Sequence, residues 1–179
     1  MILATAMTEG NQNRNAYQTP EKVCDYMVNL IPDKARTILE PTPGKGNLVK
    51  SLKKSGRYSV TAAVDFFALK KSRYDCIVMN PPFSSKYAFG VPDDVNAKGM
   101  RLGYYILTKC MEQSDNVIAL MPWFTLLDSD VRLRALQSYG IKSLTALPRK
   151  TFSYARIQTV ILELEKGYKD KTIFKTLKL

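Results

Sequence analysis

Short β-branched apolar runs alternate with helical patterns along most of this 179-residue chain. Runs such as CIVM and VIAL have no polar face, which is typical of strands that are buried on both sides. Between these runs, apolar residues recur at the spacing of a helix that packs through one face. A sheet with helical crossovers on both faces requires mostly parallel strands. The pattern therefore predicts one α/β domain with a mostly parallel, doubly wound sheet.

The predicted elements follow one another through short turns. The predicted helices cover residues 20–31, 47–56, 98–114 and 129–140, and the predicted strands cover residues 36–40, 58–67, 74–79, 116–122, 141–147 and 157–166. Thr19 is expected to be the N-cap of the first helix, with Pro20 at its first position. The alternating tail 171–179 is compatible with an edge strand. We expect residues 1–16 to form a mobile arm and residues 17–179 to form the domain.

The charge balance favours an anionic partner. Lysine and arginine total 27 against 16 aspartates and glutamates, which gives a formal net charge of +11. A balance this basic favours nucleic acid over a merely soluble surface. The apolar start of the chain lacks a positive flank and turns polar by Thr8, so it is too short for a signal or a membrane anchor. We expect a cytoplasmic protein without a membrane partner.

Two residue types narrow the chemistry. The chain has no histidine, which removes Ser/His/Asp and Cys/His nucleophilic catalysis and most transition-metal sites. Its cysteines, Cys24, Cys76 and Cys110, are widely separated, so we expect neither a disulfide framework nor a zinc site. Any chemistry must use amides, carboxylates, backbone groups or a cofactor, and we expect no metal.

A glycine turn follows the first predicted strand in ILEPTPGKGNL, residues 38–48. Glu40 ends the strand, Gly44 and Gly46 lie in the turn, and a helix begins directly afterwards. In an open α/β sheet, ligands bind at this position. The spacing is neither GxGxxG nor GxxxxGK[ST], which disfavours a phosphate site, and Glu40 would attract a cationic or hydroxyl-rich ligand. A tight turn without any ligand explains the glycines equally well.

The run YDCIVMNPPF, residues 74–83, ends a buried strand on Asn80, at the same edge of the sheet as the glycine turn. Pro81 and Pro82 have no N–H and a restricted φ, so they hold the neighbouring carbonyls in one direction. An amide oxygen and a rigid carbonyl can accept both hydrogens of an exocyclic amine, and Phe83 offers a flat face to its ring. The alternative is an Asn-Pro turn that merely ends the strand.

These motifs resemble those of the S-adenosylmethionine-dependent methyltransferases that modify the N6 amine of adenine in DNA. EPTPGKG is similar to their cofactor motif, and NPPF is similar to their catalytic [DNS]PP[FYW] motif. YQTPEKVCDYM resembles their N-terminal cofactor motif, and LPRKTFSYARIQTVILELEK resembles a late motif with an aromatic residue before a strand. The resemblance implies a Rossmann-like methyltransferase domain that binds S-adenosyl-L-methionine.

By this resemblance, Asn80 and the two prolines after it would hold the target amine. Phe83 would stack on the flipped adenine and Phe152 would pack against its other side, with Tyr154 as the fallback. Core packing at a strand start explains Phe152 equally well. The residues expected to contact nucleic acid beside this pocket are Arg149 and Lys150.

The resemblance divides the cofactor among three segments. The implied contacts are Tyr17, Thr19 and Pro20 at the methionine end, Glu40, Pro41, Gly44 and Gly46 at the amino-acid and ribose end, and Asp65 and Phe66 at the adenine ring. One departure lies between Gly46 and Asp65, where the chain has room for only one helix and one strand. The family usually has an acidic residue at the end of a second strand, so the ribose carboxylate is either missing or supplied by Asp65.

Several alternatives stay open. Methyltransferases that act on RNA or on a protein glutamine use NPPF equally well, although the net charge opposes a protein substrate and the late motif favours DNA over RNA. A catalytically degenerate subunit that only binds nucleic acid would share the fold. We expect no separate target-recognition domain, so specificity would come from the loop 84–98, the tail, a partner subunit or a homo-oligomer.

Overall fold

The computed structural model describes residues 18–84, 91–95, 97, 101–152 and 157–179. The helices are α1 (Glu21–Asn29), α2 (Asn47–Lys54), α3 (Leu102–Met111), α4 (Phe124–Leu127) and α5 (Asp130–Tyr139). The strands are β1 (Thr37–Glu40), β2 (Ser59–Ala62), β3 (Cys76–Met79), β4 (Asn116–Pro122), β5 (Ile141–Ala146), β6 (Thr159–Glu165) and β7 (Ile173–Thr176). Each predicted helix and strand has a counterpart here, and only the short helix α4 was not predicted.

The strands form one sheet in the order β2-β1-β3-β4-β6-β5-β7. Neighbouring strands are parallel from β2 to β4 and between β5 and β7, whereas β6 runs antiparallel to both β4 and β5. All strands except β6 therefore end at the same side of the sheet, which we call the carboxyl edge. The predicted α/β fold with a mostly parallel sheet is confirmed, and the tail does form an edge strand.

The central strands are apolar throughout because helices cover both faces of the sheet. On β4, Val117 and Ala119 belong to an apolar cluster that includes Leu107 of α3, which we call the α3-side cluster. Ile118 belongs to a second cluster that includes Met27 of α1, which we call the α1-side cluster. A strand between two such clusters has no position for a polar face.

The predicted strand 58–67 is wrong beyond Ala62, because residues 63–75 form neither helix nor strand. β1 ends opposite Ala62, so the ladder of this edge strand has no partner with which to continue. Apolar side chains hold the segment instead. Those that pack against the α3-side cluster are Phe66, Phe67, Leu69 and Tyr74. The Phe67 ring stacks on Tyr105 of α3 with ring centroids 6.4 Å apart. The segment thus covers part of the sheet without a helix.

Thr19 does not cap α1, contrary to the prediction. The N-cap is Pro20, whose carbonyl oxygen accepts hydrogen bonds from the backbone amides of Val23 and Cys24 at 2.9 Å, and no side chain caps the helix. A proline suits a helix start because its missing N–H is not needed there. The hydroxyl of Thr19 is therefore available for the carboxyl edge, where it is used.

We expect Gly140→Ala to lower the free energy of unfolding by about 3 kcal/mol or more. Gly140 follows α5 with a φ of +131°, and an added Cβ would overlap the Glu165 carbonyl oxygen, which belongs to the backbone and cannot rotate away. Gly56→Ala is a matched control. Its φ is +66°, but an added Cβ would meet no heavy atom within 4 Å, so we expect a loss of about 1 kcal/mol. Urea unfolding measures both variants, and equal losses would contradict the prediction.

Candidate functional site

The carboxyl edge brings the glycine turn and the NPPF motif into contact. β1 and β3 are neighbours in the sheet, Glu40 ends β1, and Asn80 directly follows β3. The Thr42 hydroxyl lies 3.4 Å from the main-chain oxygen of Asn80 and 3.3 Å from Glu40 Oε1, and these two acceptors share its single hydrogen. Two motifs that are almost 40 residues apart in the chain therefore form one site.

The glycine turn is a tight strand-to-helix connection with an open surface. The backbone amide of Gly46 donates to the Pro43 carbonyl at 2.7 Å, and Pro41 is buried beneath the turn. Gly44 and Gly46 have φ values of +54° and +83°, which favour glycine. A Cβ on Gly46 would meet no heavy atom of the described residues within 4 Å. The turn thus leaves space for a ligand at the start of α2.

Glu40 is a buried carboxyl group at the base of this turn. It is 1% exposed, and its Oε1 accepts hydrogen bonds from the Thr42 amide at 2.9 Å and from the Thr42 hydroxyl at 3.3 Å. Burial raises the pKa of Glu40 from 4.5 to about 8, and the two hydrogen bonds from Thr42 only partly oppose this shift. The carboxyl group is therefore mostly protonated at neutral pH in the ligand-free protein.

Asn80 is anchored through its side chain as well as its backbone. Its Nδ2 donates a hydrogen bond to Thr19 Oγ1 at 3.0 Å, and Thr19 is only 4% exposed. Pro81 is buried and Pro82 is half-buried. The amide and the carbonyls of the rigid proline pair thus lie on a loop that is held from the N-terminal segment and from the glycine turn.

The N-terminal segment is bound to the glycine turn by two hydrogen bonds. The backbone amide of Lys45 donates to Gln18 Oε1 at 3.2 Å, and Asn47 Nδ2 donates to the Thr19 carbonyl oxygen at 3.1 Å. The Gln18 side chain also faces Gly44, where an added Cβ would lie 3.1 Å from its Nε2. This segment therefore joins the glycine turn to Asn80.

Helix α3 supports the NPPF loop from behind through Gly103. A Cβ on Gly103 would lie 3.4 Å from both the Phe83 Cα and the Pro82 carbonyl oxygen, so the loop packs directly on the helix backbone. Phe83 is half-buried and packs against the α1-side cluster. Its ring is thus held partly by the core and partly exposed at the site.

The segment after β2 lies further along the same edge. Asp65 is exposed, and its Oδ1 accepts a hydrogen bond from the Phe67 amide at 2.9 Å. The Phe66 ring packs edge-on against Phe67, with centroids 5.3 Å apart. Asp65 comes three residues after Ala62, the last residue of β2. The family resemblance implies an acidic residue at the end of this strand.

The late motif is only partly described. Phe152 is 7% exposed and belongs to the α1-side cluster, which Phe83 also contacts. In this structure Phe152 is therefore a core residue. Arg149 and Lys150 are exposed in the turn after β5, at the carboxyl edge. Two of the expected site residues, Tyr17 and Tyr154, lie outside the described residues.

Among the described residues, no group of three or more cysteine, aspartate or glutamate side chains could hold a metal ion. No helix in the described part of the chain is long and apolar enough to cross a membrane. A cleft of about 300 Å³ lies at the opposite edge of the sheet. Three of its four charged side chains have partners within the protein, because Arg73 contacts Asp115 at 2.9 Å and Asp75 accepts from the Arg36 and Thr37 amides at 2.8 Å. This cleft is therefore not a candidate for the chemistry.

Several residues that shape the site were not predicted from the sequence, namely Gln18, Thr42, Asn47 and Gly103. Thr42 and Asn47 lie within the quoted motif, but their side-chain bonds depend on strands and segments that only the fold brings close. Gly103 carried a signal, since an isolated glycine in a helical pattern often marks a close approach of backbones.

We expect Glu40→Gln to stabilise the ligand-free protein increasingly as the pH rises. The folded state binds the Glu40 proton more tightly than the unfolded state, so the wild type loses stability between pH 4.5 and about pH 8. Above that range the difference between variant and wild type becomes constant. Thermal unfolding from pH 5 to pH 9 should show a gain in Tm of at least about 4 °C at the upper end.

The exposed carboxylate of Asp65 provides the control for this experiment. Asp65→Asn removes the same charge without changing a buried group. The prediction is wrong if the difference in Tm between Glu40→Gln and the wild type stays constant across the pH range, or if Asp65→Asn shows the same difference. Either result would show that burial of Glu40 has no energetic cost.

No protein-family model and no curated protein matches the chain. Among solved structures, the type I restriction-modification methyltransferase subunit from Streptococcus thermophilus matches 89% of this chain and 47% of its own, with a TM-score of 0.68 and 15% identity. A candidate class I S-adenosylmethionine-dependent methyltransferase from Listeria monocytogenes matches 90% of this chain and 66% of its own, with a TM-score of 0.66 and 18% identity.

A candidate RNA methyltransferase from Pyrococcus horikoshii matches 84% of this chain and 86% of its own, with a TM-score of 0.54 and 18% identity. The chain spans about half the length of the type I subunit. At these identities the likeness concerns the fold alone. The described residues thus have the fold of the class I S-adenosylmethionine-dependent methyltransferases.

Proposed function

We propose that this chain is an S-adenosylmethionine-dependent methyltransferase that transfers a methyl group to the N6 amine of adenine in DNA. One observation carries the proposal. Asn80 and the rigid proline pair lie at the carboxyl edge, where Asn80 is hydrogen-bonded to Thr42 of the glycine turn and to Thr19, which is itself bonded to Asn47 at the end of that turn. An amine acceptor and a methyl donor would therefore meet at one place.

The residues of the glycine turn fit the proposed cofactor. None of the described residues fills the space over Gly46, and Glu40 provides a buried acceptor beside it for an ammonium or a hydroxyl group. A bound cation at this position would favour ionisation of Glu40, so we expect binding to displace its proton. The cofactor, when bound, supplies an electrophilic methyl group. Asp65 and Phe66 are proposed to contact its far end.

Asn80 would make the amine nucleophilic by holding its hydrogens. The amine lone pair is delocalised into the adenine ring, and acceptors on both hydrogens favour the tetrahedral nitrogen of the transition state. Asn80 Oδ1 and a carbonyl oxygen of the proline pair are the proposed acceptors. The proton lost by the product nitrogen passes to solvent, so the site needs neither a histidine nor a metal.

The target base would have to leave the duplex to reach this loop. Phe83 is half-buried at the site and is proposed to stack on the flipped adenine. Phe152 is buried in the cluster that Phe83 contacts, so it supports the Phe83 ring in the conformation described. The role of Phe152 as the second stacking face remains a prediction, and it requires the Phe152 side chain to leave the α1-side cluster.

Cations at the carboxyl edge would hold the DNA backbone. Arg149 and Lys150 follow β5, which lies three strand positions from β3, and this separation corresponds to roughly 14 Å. At roughly 3.4 Å per base pair, they would reach phosphates about four base pairs from the flipped base. A partner subunit or a second copy is proposed to supply sequence specificity.

A second candidate function is a nucleic-acid-binding subunit without catalysis. The connection between β2 and β3 favours it, because residues 63–75 form no regular structure and leave Asp65 exposed. Transfer to RNA or to a protein glutamine is a third possibility within the same chemistry. The acceptor experiment below separates all three.

We expect purified protein to transfer labelled methyl groups from S-adenosylmethionine to unmodified DNA, with N6-methyldeoxyadenosine as the product. Asn80→Ala should lower kcat by at least about 100-fold, because it removes a transition-state acceptor. Asn29→Ala, which changes an exposed asparagine at the end of α1, serves as the control. RNA and protein acceptors are tested in parallel. Transfer only to RNA or only to protein would identify that acceptor as the substrate in place of DNA. DNA binding without any methyl transfer would favour the nucleic-acid-binding subunit.

Removing both cations after β5 should weaken DNA binding and reduce its salt dependence. For Arg149→Gln with Lys150→Gln, we expect the slope of log K against log salt to fall by roughly 1.8 on duplex DNA, because two phosphate contacts are lost. Lys169→Gln with Lys171→Gln removes the same charge from the exposed turn between β6 and β7, at the other edge of the sheet. If both pairs change the slope equally, the binding reflects net charge and not a site.

A further inference from the structure

Thr19 contacts the side chain of Asn80 although the two residues are 61 positions apart in the chain. Asn80 Nδ2 donates to Thr19 Oγ1 at 3.0 Å, and Thr19 is almost completely buried. The resemblance to known enzymes placed Thr19 at the cofactor. From this contact we propose that Thr19 is a positioning residue that fixes the position of the Asn80 side chain. The proposal rests on the function proposed above.

The position of this amide matters because the proposed reaction depends on distance and direction. Asn80 Oδ1 is proposed to accept a hydrogen bond from the target amine, and such a bond weakens steeply when its atoms are misaligned. A misplacement of about 1 Å at a reacting centre can lower the rate by roughly 100-fold. A residue that holds the Asn80 side chain in place therefore has a direct effect on the reaction.

Thr19 is held firmly enough to fix the position of the Asn80 side chain. Its carbonyl oxygen accepts a hydrogen bond from Asn47 Nδ2 at 3.1 Å and a weaker one from Cys24 Sγ at 3.5 Å. Pro20 restricts the backbone conformation of Thr19 from the other side. A threonine side chain also has few rotamers because it branches at Cβ. The hydroxyl is therefore kept in one position relative to β3.

Asn80 is thus held through its backbone and through its side chain. Thr42 contacts its main-chain oxygen, and Thr19 binds its side-chain nitrogen. The contact with Thr19 acts on the amide group that is proposed to hold the target amine. Because Thr19 is joined to Asn47, the first residue of α2, the amide is also linked to the glycine turn. Through this link, the loop proposed to hold the methyl donor and the amide proposed to hold the acceptor keep a constant relative position.

The test replaces the hydroxyl of Thr19 and observes the Asn80 amide directly. Thr19→Val keeps the shape and removes the hydrogen bond, whereas Thr19→Ser keeps the hydroxyl. In ¹⁵N NMR spectra, the Asn80 side-chain amide is identified by its disappearance in Asn80→Asp. We expect its protons to exchange with solvent at least about tenfold faster in Thr19→Val than in the wild type, and at a near wild-type rate in Thr19→Ser. Unchanged exchange in Thr19→Val would overturn the proposal.

Kinetics separate this role from cofactor binding. We expect Thr19→Val to lower kcat by about tenfold or more, while the Kd of S-adenosylmethionine and the KM of DNA change by less than about threefold. Thr19→Ser should recover most of kcat. If Thr19→Val instead weakens cofactor binding and leaves kcat unchanged at saturation, Thr19 is a cofactor ligand and the proposal is wrong.

Two controls keep the outcomes distinct. Thr145→Val replaces another buried threonine hydroxyl, which is hydrogen-bonded to the Tyr26 hydroxyl at 2.8 Å, and reports the general cost of this change. If the wild type transfers no methyl group to any acceptor, the proposed function fails, but the exchange of the Asn80 amide still decides whether Thr19 holds it in place. Loss of folding in Thr19→Val is recognised by circular dichroism, and Thr19→Ala with Thr19→Ser then provides the comparison.

Discussion

The site depends on the pairing of β1 with β3. From β1 the chain passes outwards through α2 to β2 at the rim of the sheet, and then returns across β1 to β3 on its other side. The connections on the two sides of this pair therefore leave in opposite directions, and their loops diverge at the carboxyl edge. A crevice at such a switch point is where open α/β sheets bind ligands. In a sheet with β2 between β1 and β3, Glu40 and Asn80 would lie two strands apart, and Thr42 could not contact both of them.

Polar side chains at this edge are buried or half-buried, and they have hydrogen-bond partners. Thr42, Thr19 and Asn47 link the two loops, and among the described residues no buried side-chain nitrogen or oxygen lacks a hydrogen-bond partner. A satisfied network of this kind holds its members rigidly, because breaking one bond leaves a desolvated group. Glu40 fits into it as a neutral group at physiological pH. The base of the glycine turn thus carries little charge at Glu40 until a cationic ligand arrives.

The sequence was sufficient for the fold because its signals were local and repeated. β-branched runs such as CIVM and helical spacing required the sheet with helices on both faces, and strand ends followed by glycine or proline predicted the carboxyl edge. Two interpretations failed for a shared reason. Thr19 has the composition of a helix cap, but a residue far along the chain binds its hydroxyl. The stretch after Ala62 has the composition of a strand, but the neighbouring strand ends there.

Residues that act through side-chain bonds across the fold were not predictable in the same way. Gln18 and Asn47 have no periodic pattern, and their contacts depend on a register and on backbone distances that composition does not encode. The sequence was equally compatible with two roles for Phe152, namely stacking on the base and packing in the core, and it did not show whether the side chain packs inwards. Its burial in the α1-side cluster is a tertiary result.

The segment 63–75 gives the sheet unequal stability along its length. β3 and β4 are paired on both sides and buried on both faces, whereas β2 has one neighbour and three of its four residues are exposed. Beyond it, the contacts that hold the chain include the ring packing of Phe66 and Phe67 and hydrogen bonds from residues 71–73 to the two residues that follow α3. Such a unit opens locally at a lower free energy than the central strands. A ligand that touches both Asp65 and the glycine turn would have to order this unit on arrival, so its affinity would include the entropy lost there.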